Sequence, residues 1–219
     1  MNNKIKSKLF YELFKNIGEE EYYCKNEIIH LDGIKGDCVW FIKKGKVKHV
    51  FHDMEGYEKT VLILSENDIF GEITLFQCDK NMVLTQAIED TIVNKIDRDL
   101  FLEIITKYPD NLLNLIEVIT GKFRIVLHQM KDLSFKNIEG RLANLLLRLT
   151  EQQGIVEEDG VKIDLFLTHN ELANMVAATR ASITRAINKF KKDKLIKIEN
   201  KKIVVLNKQV LRNYDNNKL

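Results

Sequence analysis

Two arginines and two hydroxyl residues lie within the first turns of a predicted helix near the C-terminus. Arg180, Ser182, Thr184 and Arg185 alternate there with apolar residues that recur at helical spacing. Their side chains can donate hydrogen bonds to phosphate oxygens and to the acceptor edge of guanine. This chemistry is typical of a helix that reads double-stranded DNA, and the alternative is an ordinary helical hairpin with a solvated basic face.

A second helix is predicted immediately before this one. Thr168 and Glu171 match the spacing of a capping box, and Leu172, Ala173 and Val176 give the helix an apolar face. After the basic helix, residues 195–198 and 202–206 read as two strands joined by a turn. Two helices followed by a small hairpin predict a winged helix-turn-helix, whose hairpin tip can touch the DNA backbone.

The charge of the chain is divided unevenly. The whole chain has 34 Lys and Arg against 32 Asp and Glu, but the stretch from Thr168 to the C-terminus has twelve against four. The remainder therefore has 22 basic and 28 acidic residues. A basic C-terminal end beside an acidic remainder is the expected pattern when one domain binds a polyanion.

The first hundred residues read as short strands. Runs of β-branched and aromatic residues, such as residues 39–42 and 47–52, are separated by Gly and Asp turns about every 8–12 residues. This spacing predicts a β-roll of the jelly-roll type.

A long helix is predicted to follow the roll, with Pro109 in its first turn. Apolar residues recur along it at alternating spacings of four and three, which is the heptad seam of two helices that wind around each other. One helix lying on the β-roll is the alternative, and Leu113, Leu115 and Leu127 suggest such packing as well. The predicted dimer seam consists of Leu112, Ile116, Ile119, Phe123, Val126, Met130 and Leu133.

These patterns predict an α+β chain in three parts: a sensor β-roll (residues 1–108), a dimerisation helix (109–134) and a winged helix-turn-helix domain (135–219). No apolar run is long enough to cross a membrane, and no signal-type apolar region follows the N-terminus. Three scattered cysteines favour reduced thiols. We therefore expect a cytoplasmic protein without a membrane partner.

The order of these parts resembles that of the CRP/FNR superfamily of bacterial transcription regulators. Residues 37–47 resemble the family's roll hairpin and residues 69–76 the start of its phosphate-binding cassette. Residues 140–143 match the entry to its DNA-binding domain, and residues 179–185 and 200–205 resemble its recognition helix and wing. The resemblance implies a homodimeric, sequence-specific transcription activator that binds a palindromic operator. It also implies RNA polymerase as a partner, with residues 151–164 as a polymerase-facing loop.

The resemblance assigns roles to individual residues. Ala181 stands where family members usually carry a glutamate that contacts cytosine. The predicted base-reading residues are Arg180, Ala181, Thr184 and Arg185. The predicted phosphate contacts are Thr168, His169, Thr179, Ser182, Lys201 and Lys202.

The cassette departs from that of the cyclic-AMP receptors. Asn81 and Met82 replace the Arg–Ser pair that holds the cyclic phosphate, and Val126 and Leu127 replace the Thr–Ser pair that meets the adenine. A cyclic nucleotide would lose charge-assisted hydrogen bonds here, so we expect a different, more apolar small-molecule effector, or none. The predicted effector pocket consists of Gly71, Glu72, Ile73, Thr74, Asn81, Met82, Val126 and Leu127.

Other sensor types and an enzyme are weaker alternatives. The family's iron–sulfur sensors use four cysteines, whereas this chain has three. We predict no cofactor, although haem remains an alternative with His30, His49, His52, His128 or Cys78 as ligand, and so does oxidant sensing by Cys78, which is predicted to be buried and inert. A cupin-like metal enzyme would use His49 and His52, but residues three apart on a strand point to opposite faces, so no metal site is predicted.

Overall fold

A computed structural model of the chain describes residues 12–107, 109–212 and 214. The chain divides into two compact units, residues 1–126 and 127–219, and the division falls inside the long helix. The ends of the predicted segments 1–108 and 135–219 lie outside the described residues. Each unit is described separately below.

The N-terminal unit contains a β-roll of two four-stranded sheets. One sheet has the order β1-β8-β3-β6 and the other the order β2-β7-β4-β5, with antiparallel pairing throughout. This confirms the predicted roll. The strands are β1 (Glu19–Tyr23), β2 (Ile28–His30), β3 (Cys38–Lys44), β4 (Lys46–His52), β5 (Glu58–Ser65), β6 (Ile69–Phe70), β7 (Leu84–Ala87) and β8 (Thr91–Asp97).

Strand β3 is buried on both faces and so connects two apolar clusters. Val39 and Phe41 pack with Phe101 and Leu115 on the helical side of their sheet. The alternate residues of the strand, including Trp40, pack in the cluster that also contains residues of the other sheet. A strand buried on both faces reads as a continuous apolar run, as residues 38–42 do.

The helices α1 (Glu72–Gln77), α2 (Arg98–Lys107) and α3 (Pro109–Phe135) also belong to this unit, and α3 continues into the second unit. Of the three leucines expected to pack on the roll, Leu115 is buried, whereas Leu113 and Leu127 are exposed. That expectation was wrong for Leu113, because the turn of α3 that meets the core cluster presents Leu115, Val118 and Ile119 instead.

The C-terminal unit is built around α4 (Ile138–Gln152). Its predicted stripe of Leu142, Leu145, Leu146 and Leu149 is buried. The end of α3 is fixed to this helix by Asp132, which is 6% exposed. Its carboxylate pairs with Arg148 at 2.8 Å and accepts a hydrogen bond from Asn144 at 2.7 Å.

A helix-turn-helix and a wing follow, as predicted. The helices are α5 (His169–Val176) and α6 (Arg180–Lys192), and the wing that follows them consists of β11 (Ile196–Glu199) and β12 (Lys202–Val205). Residues 151–164, expected to be a loop, instead form the end of α4 and the hairpin of β9 (Gly154–Glu157) and β10 (Gly160–Ile163). Strand β10 pairs with β12 of the wing. This pairing joins residues far apart in the chain, so the short sequence of β10 alone does not predict it. The four strands β9 to β12 form one sheet of order β11-β12-β10-β9, and α7 (Lys208–Arg212) follows β12.

Candidate nucleic-acid interface

Both helices of the helix-turn-helix begin at capped residues. Thr168 and Glu171 form the predicted capping box at α5. Thr179 caps α6 by accepting a hydrogen bond from the amide of Ser182 at 3.2 Å. Ala177 turns the chain between the helices with a φ of 51°. These local interactions fix where the recognition helix starts.

The recognition helix α6 buries one face and exposes the other. Ile183, Ala186, Ile187 and Phe190 are almost completely buried, as the spacing predicted. Consequently the predicted base-reading residues Arg180, Ala181 and Arg185 are exposed together on the opposite face, and Thr184 is half-buried at its edge. The structure thus brings the predicted polar groups to one surface.

Two of these polar groups are already ordered by neighbours. The guanidinium of Arg185 donates from Nη2 to Oγ of Ser182 at 3.1 Å, and Ser182 in turn accepts from the Thr179 hydroxyl at 3.0 Å. The guanidinium of Arg180 has no hydrogen bond or ion pair within the described part of the chain.

His169 has a contact that the sequence pattern did not reveal. Its Nδ1 lies 2.8 Å from Oγ1 of Thr184, fifteen residues away on the recognition helix. His169 was predicted only as a phosphate contact, and no local spacing rule connects it to Thr184.

The wing ends in a tight two-residue turn. Asn200 and Lys201 both have positive φ, the conformation of a hairpin turn that suits strand twist. Lys201 is exposed at this tip. Lys202 is instead held by Asp164, at 2.5 Å, and lies 4.8 Å from the centre of the Phe166 ring. Of the two predicted phosphate contacts in the wing, Lys201 is therefore the more accessible.

The residues predicted as an effector pocket separate into a buried and an exposed set. Glu72 and Thr74 at the start of α1 are buried, whereas Ile73 and Met82 are largely exposed. Gly71 has a φ of 95°, and a side chain there would meet the Trp40 ring at about 2.9 Å. Asn81 donates from its side-chain amide to the carbonyl of Val83 in its own loop and to that of Leu31, fifty residues earlier in the chain.

The charged partner of Glu72 is a residue that the sequence analysis missed. Lys122 of α3 reaches Oε1 of Glu72 at 2.7 Å and the carbonyl of Ile69 at 2.6 Å. The two side chains are 13% and 4% exposed. The available signal was that Lys122 stands one helical turn before Val126, a residue already assigned to the pocket. Val126 and Leu127 themselves are exposed.

The interior of the roll is aromatic and contains polar atoms without partners. Trp40 stacks on Phe70 with ring centres 5.3 Å apart, and His30 lies 4.9 Å from Trp40. The indole Nε1 of Trp40 and Nε2 of His30 are buried and have no hydrogen-bond partner among the residues that the structure describes. His49 bonds Thr85 at 2.9 Å, and its burial, together with the nearby charge of Lys122, lowers its pKa to about 3.

The remaining candidate sensor residues do not converge on one site. His49 is buried whereas His52 is exposed on the same strand, as expected for residues three apart. No group of three metal-binding side chains occurs among the residues that the structure describes. Cys78, expected to be buried, is exposed, because it ends α1 in a left-handed conformation. Its sulfur accepts a hydrogen bond from Arg98 at 3.0 Å.

Comparison with known protein families identifies both units. Residues 140–214 match the Crp-like helix-turn-helix domain, and residues 20–108 match the cyclic nucleotide-binding domain. The chain belongs to the CRP/FNR superfamily. It is a transcription regulator with a helix-turn-helix DNA-binding domain.

Several members of the superfamily are similar over most of their length. The chain is 27% identical over 203 residues to the global nitrogen regulator of Synechocystis sp., covering 89% of this chain and 90% of that protein. It is 28% identical to the cAMP-activated global transcriptional regulator CRP of Salmonella typhimurium, covering 84% and 88% respectively. A CooA mutant from Carboxydothermus hydrogenoformans has 27% identity and a TM-score of 0.79, covering 93% of this chain and 88% of that structure.

These relatives are transcription regulators, which confirms the prediction of a regulator rather than an enzyme. Among the described residues, no helix is long and apolar enough to span a membrane.

Proposed function

We propose that this CRP/FNR protein is a homodimer whose two recognition helices bind a palindromic operator in double-stranded DNA. The observation that carries this proposal is the single exposed surface that Arg180, Ala181 and Arg185 share on α6. In dimeric helix-turn-helix proteins, this superfamily included, such helices enter successive major grooves about 34–36 Å apart. Thr168, Thr179 and Ser182 at the starts of α5 and α6, and Lys201 at the wing tip, are the proposed phosphate contacts.

Arg180 and Arg185 are the proposed base readers, each bidentate to guanine O6 and N7. The side chain of Ala181 has no acceptor for a cytosine amino group. Its methyl group therefore packs against a thymine methyl or contacts no base. Arg185 is pre-oriented by Ser182, which lowers the entropy lost on binding.

Exposed apolar residues along α3 support the dimer. Phe123 is 60% exposed and Met130 is 65% exposed in the single chain. Burying such side chains against a second helix stabilises the pair by about 25 cal/mol per Å² of apolar surface removed from water. Ile119 is the exception within the predicted seam, since it also packs against the roll core.

The proposed effector is a small molecule other than a cyclic nucleotide. Lys122, a cation near the cassette, is already paired with Glu72, while the side-chain amide of Asn81 is bonded to the carbonyls of Leu31 and Val83. A cyclic phosphate would therefore have to break existing interactions to gain a cationic partner. The aromatic interior around Trp40 and Phe70 favours a more apolar ligand. Such a ligand shifts the position of α3 by binding one of two conformations of the protein more tightly than the other.

Oxidant sensing is a second candidate that one observation favours. Cys78 is exposed at the end of α1 and in contact with the cation Arg98. Haem gains no such support, because His49 is bonded to Thr85 and buried among the roll's strands.

RNA polymerase is the proposed protein partner, and the hairpin β9–β10 is the proposed contact. Val156 at its surface is 83% exposed. We propose that the protein acts in the cytoplasm as an activator.

Selection of bound sequences from a randomised duplex library tests the proposed function. The purified full-length protein is used at moderate salt, with and without the small-molecule fraction of a cell extract. Enrichment of a two-fold palindrome is the expected result. Retention of DNA without any enriched sequence under both conditions would contradict sequence-specific regulation.

A further inference from the structure

The hydroxyl groups of the recognition helix differ in which hydrogen-bonding capacity they leave for DNA. A threonine or serine hydroxyl has one proton to donate and two lone pairs that accept. The contacts that each hydroxyl makes within the protein therefore determine whether a proton or a lone pair remains for a hydrogen bond to DNA.

The proton of the Thr184 hydroxyl is committed inside the protein. Its Oγ1 lies 2.9 Å from the carbonyl oxygen of Arg180, one turn earlier in the helix. A carbonyl oxygen can only accept, so the hydroxyl must donate to it. The second contact of Oγ1, with Nδ1 of His169 at 2.8 Å, must then be a hydrogen bond that His169 donates. One lone pair of Thr184 is left.

The hydroxyl of Ser182, by contrast, is left as a hydrogen-bond donor. Its Oγ accepts from the Thr179 hydroxyl at 3.0 Å and from the Arg185 guanidinium at 3.1 Å. Both lone pairs are thus occupied, and the serine proton is left to donate. Ser182 therefore suits a phosphate oxygen, whereas Thr184 cannot serve as a donor without breaking its bond to Arg180.

We propose that His169 is a positioning residue of the interface: it fixes Thr184 as a hydrogen-bond acceptor, so that the base facing Thr184 is selected for an amino group, adenine N6 or cytosine N4. These two are the donors that bases present in the major groove. The inference rests on the proposed DNA recognition. It states which bases are preferred at one position of each half-site, namely those that present an amino group.

The same library selection tests this inference with two isosteric variants of His169. In His169→Asn the amide nitrogen stands near the position of Nδ1 and can still donate to Thr184, but the group at Nε2 is lost. In His169→Gln the polar group lies near Nε2, and the donor to Thr184 is lost. Thermal unfolding of both variants checks that the domain remains folded.

Thr184 variants identify the base pair concerned. Thr184→Val removes the acceptor and keeps the shape, whereas Thr184→Ser keeps the hydroxyl. We expect Thr184→Val to relax the preference for adenine or cytosine at one position by about two- to tenfold, the size of one hydrogen bond, and Thr184→Ser to retain it.

His169→Gln should relax the same position by a similar factor, while His169→Asn keeps the preference. Positions read by Arg180 and Arg185 should not change. If His169→Gln keeps the whole pattern and His169→Asn weakens binding to all sequences alike, His169 is only a phosphate contact and the inference is wrong. A wild-type protein without any enriched sequence would overturn the proposed function itself, which distinguishes the two failures.

Discussion

The recognition helix and the cassette that begins at residues 69–76 position their polar groups over different distances along the chain. In the helix-turn-helix, Thr179, Ser182 and Arg185 order one another within six residues. In the cassette, Glu72 is held by Lys122, fifty residues away on another helix. The polar face of the recognition helix thus depends largely on local geometry, with the His169–Thr184 contact as the exception, whereas the cassette is linked directly to the long helix.

The largest effect is expected on the long helix, which extends into both units. Phe123→Glu would place a charge in the proposed seam and should abolish dimerisation and operator binding, because a buried unpaired charge is very costly. Sedimentation velocity and binding to the selected operator measure the two effects. The control is Arg124→Glu, an exposed change one residue outside the seam. A monomeric Phe123→Glu protein that still binds the operator tightly would contradict the role assigned to the dimer.

Breaking the ion pair of the cassette should have the next largest effect. Lys122→Met leaves Glu72 buried without its cation and should lower the free energy of unfolding by about 3 kcal/mol. The double variant Lys122→Met, Glu72→Leu should recover most of this loss, since two apolar side chains can replace a buried pair. Urea unfolding of the three proteins gives the comparison. Equal stability of the single variant and the wild type would mean that the pair is not held in solution.

A change in the recognition helix should affect binding and leave stability alone. Arg180→Ala should weaken operator binding by about 1–3 kcal/mol and relax the preference at its base pair. Lys201→Ala in the wing is the control. It should weaken binding to all DNA sequences alike and reduce the slope of log K against log salt concentration by about one. Equal losses on operator and random DNA for Arg180→Ala would count against its role in base reading.

The buried His49 should make the roll sensitive to acid. Its pKa is lowered in the folded state, so the unfolded chain binds a proton more readily, and stability falls as the pH drops below about 6.5 toward 3. Between pH 6.5 and 5 the slope attributable to His49 should approach about 1.4 kcal/mol per pH unit. Denaturant unfolding of His49→Leu and of the exposed control His52→Leu measures it. A wild-type slope that survives His49→Leu would assign the effect to other groups.

The smallest effect is expected at the first helix of the DNA-binding motif. Thr168→Ala removes the capping box of α5 and should cost about 1 kcal/mol of stability, whereas Thr168→Ser should cost almost nothing. Thermal unfolding distinguishes these variants. A Thr168→Ala protein as stable as the wild type would show that packing of α5, rather than its cap, determines where the helix begins.

Much of the DNA-binding unit could be predicted because its signals are local. Caps such as Thr168 and apolar residues such as Ile183 and Phe190 act within one or two helical turns, so their spacing is visible in the sequence. The acidic strand β1 lacked such a signal, since it is an edge strand defined by its pairing with β8. The exposure of Cys78 was missed because it depends on how α1 ends.

The sequence by itself determined the order of the three parts of the chain, the polar face of the recognition helix and the superfamily. Only the tertiary structure decided that Lys122 pairs with Glu72, that Asp132 fixes the end of α3 to Arg148, and that His169 meets Thr184. Helical periodicity records which side of an element is buried, but it does not record which element lies opposite. Hydrogen bonds and ion pairs between elements depend on which elements lie opposite each other, and this is decided only when the chain folds.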